Sequence, residues 1–193
     1  MKNKIETKTI VLGAVLTALV IILQFMGSFV KFGPFSISLV LIPIVIGAAT
    51  CGTKVSAWLG FVFGGAVLLS GDAAAFLAVD ILGTIITVLV KGTAAGLVAG
   101  VFYKAFEKYN TYLAVIVAAI VCPVTNTGVF LIGCFMFFMD TIKMWASAEG
   151  LSENVGQYMI FVLVGGNFLF ELLSNIILSP VVVRLLNIKK KLN

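Results

Sequence analysis

Histidine is absent from this chain of 193 residues, and charged residues make up only 11% of it. Its three cysteines, Cys51, Cys122 and Cys134, form no Cys-x-x-Cys pair, so the usual signatures of zinc sites and redox dithiols are missing. We therefore predict neither a metal site nor a cofactor. The cysteines are expected to be small apolar packing residues.

Two kinds of chemistry lack their usual residues. The chain has no Gly-x-x-x-x-Gly-Lys-[Ser/Thr] loop, so any ATP hydrolysis must come from another protein. Hydrolysis inside a membrane normally needs histidine or paired acids, and neither pattern is present. We therefore predict that the chain is not an enzyme. The net charge of +5 does not indicate nucleic-acid binding, because the basic residues lie at segment ends.

Apolar residues dominate the sequence. Hydrophobic residues make up 61% of the chain, and its mean hydropathy is +1.18, far above that of a soluble domain. A membrane-spanning helix needs roughly 20 apolar residues, so the chain has room for about six spans and little else. We predict an all-α polytopic membrane protein, a six-helix bundle in one domain (residues 1–193), in which Pro43 indicates a kink or a tilt of the second span. The predicted spans are 9–26, 36–50, 55–69, 80–103, 111–135 and 158–186. We predict a loop at 70–79 and a polar insert at 139–157 between them.

The basic residues predict the orientation in the membrane, because Lys and Arg are enriched on the cytoplasmic side. With the N-terminus inside, ten of the 13 lie on the inner side: Lys2, Lys4, Lys8, Lys54, Lys104, Lys108, Arg184, Lys189, Lys190 and Lys191. Only Lys31 and Lys143 lie outside, together with Asp72, Asp140, Glu149 and Glu153. We predict a multi-pass plasma-membrane protein with both termini in the cytoplasm.

Polar residues recur on one face of the fourth and sixth predicted spans. Asp80, Thr84, Thr87 and Lys91 are spaced by four, three and four residues, which places them on one helical stripe. Asn167, Glu171 and Asn175 repeat every four residues and also share a face. Ionisable groups inside a bilayer are costly, and they are therefore often functional.

Lys91, Asn126 and Asn167 lie at a similar depth, about 15 Å from the outer ends of their spans. This depth predicts a solute pocket in which Lys91 binds a carboxylate or phosphate and the amides orient the solute. An alternative is that Lys91 and Glu171 pair with each other and the amides only join helices. The candidate substrate-binding residues are Lys91, Asn126, Asn167, Glu171, Thr87, Thr84 and Asp80. The phenylalanines between 130 and 138 are expected either to pack against a ring of the bound solute, or to face lipid or pack in the core.

Small residues at four-residue spacing indicate where helices touch. Gly92, Gly96 and Gly100 form two successive Gly-x-x-x-Gly steps, and Gly60 and Gly64 repeat the pattern in the third span. We expect these glycines to pack helices against each other. Ala14 and Ala18 form an Ala-x-x-x-Ala pair in the first span, which alone is a weak signal.

The layout resembles the substrate-binding subunits, or S-components, of energy-coupling factor (ECF) transporters, which are prokaryotic importers of vitamins. The resemblance covers nearly the whole chain. It rests on the chain length, on the six spans and on residues 13–18 (GAVLTA), 41–47 (LIPIVIG), 91–100 (KGTAAGLVAG) and 123–128 (PVTNTG).

The resemblance implies a mechanism and partners. The S-component captures its solute outside and topples in the membrane, and the solute is released inside when two ATPase subunits use ATP. The resemblance assigns contact with the transmembrane coupling subunit to Ala14 and Ala18.

The resemblance leaves the solute open among several vitamins. The absence of histidine excludes the cobalt and nickel members of the family. Thiamine binders of the family are rich in tryptophan at the site. Thiamine is therefore disfavoured here, because only Trp58 and Trp145 occur and Trp58 lies near the inner end. An intramembrane lysine beside hydroxyls and amides weakly favours pantothenate; riboflavin, folate, biotin and queuosine-type precursors remain open.

The alternative function is that of a self-sufficient secondary transporter or channel. Such a protein is expected to show inverted repeats or a proton relay of paired acids. We find no convincing internal repeat, and Glu171 is the only acid deep in a predicted span.

Overall fold

The computed structural model describes residues 7–29, 31–32, 35–36, 39–151 and 154–191. For residues 31–32, 35–36, 185 and 187–191 it describes the backbone only. The predictions made on Lys2, Lys4 and Glu153 lie outside these residues, as do those on the side chains of Lys31 and Lys189–Lys191. The elements are α1 (Thr7–Gly27), β1 (Lys31–Phe32), β2 (Phe35–Ser36), α2 (Leu41–Cys51), α3 (Thr53–Ser70), α4 (Ala74–Leu77), α5 (Ile81–Phe106), α6 (Thr111–Phe137), α7 (Met139–Ala148), α8 (Val155–Gln157), a π-helical segment (Tyr158–Gly165) and α9 (Gly166–Lys191).

Five helices in the described ranges are long and apolar enough to cross a membrane: Thr7–Gly27, Thr53–Ser70, Ile81–Phe106, Thr111–Phe137 and Val155–Arg184. The last of them combines α8, the π-helical segment and α9. The predicted all-α membrane fold is therefore confirmed. We call the end of the bundle that contains Lys54 and Lys104 the basic end, and the end that contains Asp72 and Asp140 the acidic end.

The second predicted span, 36–50, corresponds to the short helix α2. This helix begins at Leu41, not at Ser36, because Ser36 pairs with Lys31 in a two-stranded antiparallel sheet. With 11 residues, α2 is about 16 Å long, which is half the thickness of the hydrocarbon core. The expected kink at Pro43 is wrong: Pro43 lies in the first turn of α2, where a backbone N–H has no partner within the helix.

Two stretches that we expected to be loops contain helices at the acidic end. The predicted insert 139–157 contains α7, because Ile142 and Ala146 are buried one turn apart while Asp140 and Lys143 point to solvent. The predicted loop 70–79 contains α4, whose Phe76 is buried against the end of α6. Charged residues on the exposed face of α7 made the segment look like a polar loop.

Helices α3 and α5 are antiparallel neighbours whose backbones touch. A Cβ atom at Gly60 would overlap the carbonyl oxygen of Gly92, and one at Gly96 would overlap the carbonyl oxygen of Ser56. Gly64 and Gly100 meet α5 and α3 backbone atoms in the same way. The predicted packing role of these glycines is confirmed. Such contacts join helices by close van der Waals packing in a bilayer, where apolar burial gives little driving force.

Helix α6 packs on the other side of α5 and remains continuous through Pro123. Cys122 and Cys134 are buried on this helix, which confirms for both the predicted packing role; Cys51 is partly buried. One apolar core joins α1, α2, α3, α5, α6 and α9, and a second core at the acidic end joins α4, α6, α7 and the π-helical segment. The acidic end therefore has a packed core of its own.

Replacing Gly92 with Ala should lower the unfolding temperature in detergent, because the new Cβ meets the backbone of Gly60 and overpacking costs about 1–3 kcal/mol. The matched control is Gly65→Ala on α3, whose Cβ would meet nothing within 4 Å in the described ranges. This control should unfold at or above the wild-type temperature, since Ala is the better helix former. Equal unfolding temperatures for the two variants would contradict close packing at Gly92.

Candidate functional site

The predicted stripe on α5 divides into a helix cap and three residues that face inward. Asp80 is the N-cap of α5, and its carboxylate accepts a hydrogen bond of 3.0 Å from the backbone N–H of Gly83. Thr84 is buried and donates to the carbonyl oxygen of Asp80 at 2.6 Å. Thr84, Thr87 and Lys91 line a cavity between the helices. Among the described residues, Asp80 is not part of that lining.

A cavity lies between the helices at the acidic end. It contains about 540 Å³ of space that no atom occupies, including its opening to solvent. Among the described residues it is lined by Gln24, Phe63, Val67, Asp72, Ala73, Phe76, Thr84, Thr87, Val88, Lys91, Phe130, Phe138, Asn167 and Glu171. A second cavity of about 300 Å³ is lined by Asn126, Thr127 and Val164, and it shares Lys91, Phe130 and Asn167 with the first.

The structure therefore brings six of the seven predicted substrate-binding residues to two adjoining cavities. Five of them line the larger cavity, and Asn126 lies on the smaller one beside Lys91 and Asn167. Asp80 is the exception.

Lys91 lies between two aromatic rings. Its Nζ is 5.7 Å from the ring centroid of Phe63 on α3 and 5.2 Å from that of Phe130 on α6. Among the residues that the structure describes, no carboxylate oxygen lies within 4.0 Å of this ammonium group. The faces of aromatic rings attract a cation, but they leave its three hydrogen-bond donors unused. The Lys91 donors are therefore available to a ligand.

Glu171 is held by hydrogen bonds along α9. Asn167 Nδ2 donates to Glu171 Oε1 at 3.3 Å, and Asn175 Nδ2 donates to the Glu171 carbonyl oxygen at 2.8 Å. Glu171 is only 2% exposed. Asn175 is buried without lining either cavity, so its hydrogen bond to the backbone is a structural one.

Several buried polar atoms around the cavities have no hydrogen-bond partner within the described residues: Thr87 Oγ1, Asn126 Oδ1, Asn167 Oδ1 and Glu171 Oε2. An unsatisfied buried polar group costs about 1–3 kcal/mol, so native proteins keep few of them. Four such atoms around adjoining cavities indicate a site that a polar ligand or ordered water completes.

Sequence reasoning missed Gln24, which lines the larger cavity. Gln24, near the end of α1, is 2% exposed, and it donates to Asp72 Oδ2 and, at 3.1 Å, to Ser70 Oγ. The available signal was an amide in the last turns of an otherwise apolar helix. Gln24 thus ties α1 to the segment between α3 and α4.

An aromatic cluster adjoins the cavity on the side of α7. Phe76 meets Phe130, Phe138 and Trp145 edge to face, with centroid distances of 5.5, 5.0 and 5.4 Å. Of these, Phe76, Phe130 and Phe138 line the larger cavity. The second tryptophan, Trp58 on α3, is 54% exposed and donates to Thr17 on α1 at 3.3 Å.

The predicted partner residues lie on the opposite side of α1 from Gln24. Ala14 and Ala18 are exposed, whereas Gly13, Leu16, Val20 and Gln24 form the buried side. Among the five long helices of the described ranges, α1 has the smallest buried share. The small side chains of Ala14 and Ala18 therefore form a shallow strip that is open to the surroundings of the bundle.

Residues 8–186 match the model of one protein family, whose description is "ECF transporter, substrate-specific component". No curated protein and no solved structure matches the chain. Because the family match covers nearly the whole of a helical membrane bundle with a polar internal cavity, the chain belongs to the family of substrate-specific components of ECF transporters.

Proposed function

We propose that this subunit captures a small carboxylate-bearing vitamin or vitamin precursor in the cavity and passes it to a coupling subunit and two ATPases. The observation that carries the proposal is Lys91, whose ammonium lies between Phe63 and Phe130 without a carboxylate partner among the described residues. A carboxylate on the ligand supplies that partner and forms a charge-assisted hydrogen bond. Family membership favours this role over a self-sufficient transporter or channel.

The charge distribution supports an opening to the outside. The described residues at the basic end include Lys8, Lys54, Lys104, Lys108 and Arg184, whereas Lys143 is the basic residue at the acidic end. Positive residues are retained in the cytoplasm during insertion, so the cavity at the acidic end opens outward and both termini lie inside.

Pantothenate is the first ligand to test. It has a carboxylate for Lys91, an amide for the asparagines and hydroxyls for Thr84 and Thr87, all of which lie on the two adjoining cavities. Riboflavin, folate, biotin and queuosine-type precursors form the comparison set. Thiamine remains disfavoured, because Trp58 lies on α3 facing α1 and is not a lining residue among those described.

Small molecules that co-purify with the detergent-solubilised subunit should include a carboxylate-bearing vitamin or precursor, detected by mass spectrometry. Titration of the identified compound and of pantothenate by calorimetry should give submicromolar binding for the true ligand. A stable preparation that neither carries nor binds any member of the set would contradict the proposed function.

Replacing Lys91 with Met should lower ligand affinity by roughly 10- to 100-fold, because a hydrogen bond to a charged group contributes about 1.5–3 kcal/mol. Calorimetric titration measures the change. The control is Lys143→Met, whose ammonium pairs with Asp140 at 3.3 Å on the surface and should not affect affinity. Unchanged affinity in Lys91→Met would remove Lys91 from the site.

Replacing Ala14 or Ala18 with Trp should block uptake by the complete transporter and leave ligand binding to the isolated subunit intact. The indole would fill the strip on α1 that we assign to the coupling subunit. Leu19→Trp is the control, because Leu19 is also exposed but points about 100° or more away around the helix. Loss of binding in the alanine variants, or equal loss of uptake in Leu19→Trp, would contradict this assignment.

A further inference from the structure

Two opposite charges share the cavity without forming an ion pair. Lys91 and Glu171 both line it, yet no ion pair within 4.0 Å joins them in the part of the chain that the structure describes. Lys91 is held from the side of α3 and α6 by Phe63 and Phe130, whereas Glu171 is held on α9 by Asn167. The cavity therefore has a cationic pole and a separate carboxylate pole.

The carboxylate pole consists of hydrogen-bond acceptors. Asn167 Nδ2 is already used by Glu171, and this bond orients the Asn167 side chain so that its Oδ1 is the unpartnered atom. Asn126 Oδ1 and Glu171 Oε2 also lack donors within the described residues. Carbonyl and carboxylate oxygens accept hydrogen bonds and cannot donate them. A ligand that contacts these three atoms must therefore bring N–H or O–H groups.

The charges that line the cavity also disfavour a purely anionic ligand. Besides Lys91, the lining contains two acids, Glu171 and Asp72, and Asp72 accepts a hydrogen bond from Gln24 at the opening. An anion without donor groups would gain Lys91 but leave the acceptors of Glu171 and Asn167 buried and unsatisfied.

We propose that the ligand is bipolar: an anionic group binds Lys91, and N–H or O–H donors at the other end of the same molecule bind Glu171, Asn167 and Asn126. This inference rests on the proposed function, because it takes the cavity to be the capture site. It restricts the ligand to acids that also carry an ammonium, amide or hydroxyl group. Simple monocarboxylates and dicarboxylates are excluded.

The test uses matched small molecules on the whole subunit in detergent. The bipolar probes are glycine, β-alanine and 4-aminobutyrate, in which successively longer carbon chains separate the ammonium from the carboxylate. The monopolar probes are acetate, propionate and butyrate, which lack the ammonium group. At equal concentration, at least one bipolar probe should raise the unfolding temperature more than its monopolar partner does. Equal or absent stabilisation by all the bipolar probes would overturn the proposal.

Variants test whether the donor end of the ligand binds Glu171. Glu171→Gln keeps the size of the side chain but replaces one acceptor oxygen with a donor, so the affinity of the best bipolar probe should fall roughly tenfold or more. Asn126→Leu should lower it as well from a different helix. Asp140→Asn, on the surface pair with Lys143, is the matched control and should leave affinity unchanged. Wild-type affinity in Glu171→Gln would overturn the inference, because it would show that no donor group of the ligand binds the Glu171 carboxylate.

The two proposals fail in different ways. A co-purified carboxylate that binds the wild type, depends on Lys91 and is unaffected by Glu171→Gln and Asn126→Leu would leave the capture function intact and overturn the bipolar ligand. The absence of binding by every vitamin and every probe would overturn both.

Discussion

Close contact between the backbones of α3 and α5 is the constraint on which the site depends. Gly60 and Gly64 meet α5 at Gly92 and Val88, and the same turns carry Phe63 and Lys91. Because no side chain separates the two helices at the glycines, the ring of Phe63 comes within 5.7 Å of the Lys91 ammonium. Wider separation of the helices would remove one of the two rings that hold the lysine. The packing motif and the binding residue are therefore parts of one arrangement.

The low dielectric constant of the bilayer explains why the polar residues gather at one place. A polar or charged side chain in hydrocarbon needs partners, and helices obtain them by facing each other. Thr84 donates to a carbonyl within its own helix, and Ser179 does the same on α9. Glu171, Asn167 and Asn126 are only partly satisfied in this way. Side chains whose hydrogen bonds are made within their own helix support that helix, whereas side chains with unpartnered polar atoms can still bind a ligand.

The long spans, the glycine contacts and most of the polar lining could be predicted because each rests on a short-range rule. A span needs about 20 apolar residues, and a helical stripe repeats every three or four. Asp80 satisfied the stripe but lies one residue before α5, and Asp is a preferred N-cap; the spacing rule alone does not separate these roles. Gln24 and Phe63 join the site only through contacts between distant segments, which periodicity does not reveal. The start of α2 depends on a hairpin of two-residue strands, too short to give a pattern.

Helix α1 connects the two tasks of a substrate-specific component. On its buried side, Gln24 lines the cavity and is bonded to Asp72 and Ser70; on its exposed side lie Ala14 and Ala18. Because α1 has the smallest buried share of the five long helices in the described ranges, these two hydrogen bonds form a substantial part of its polar attachment at the acidic end. A ligand that reaches Asp72 or Gln24 therefore touches the attachment of α1 itself. The cavity residue Gln24 and the exposed alanines are therefore carried by the same helix, which is about 30 Å long.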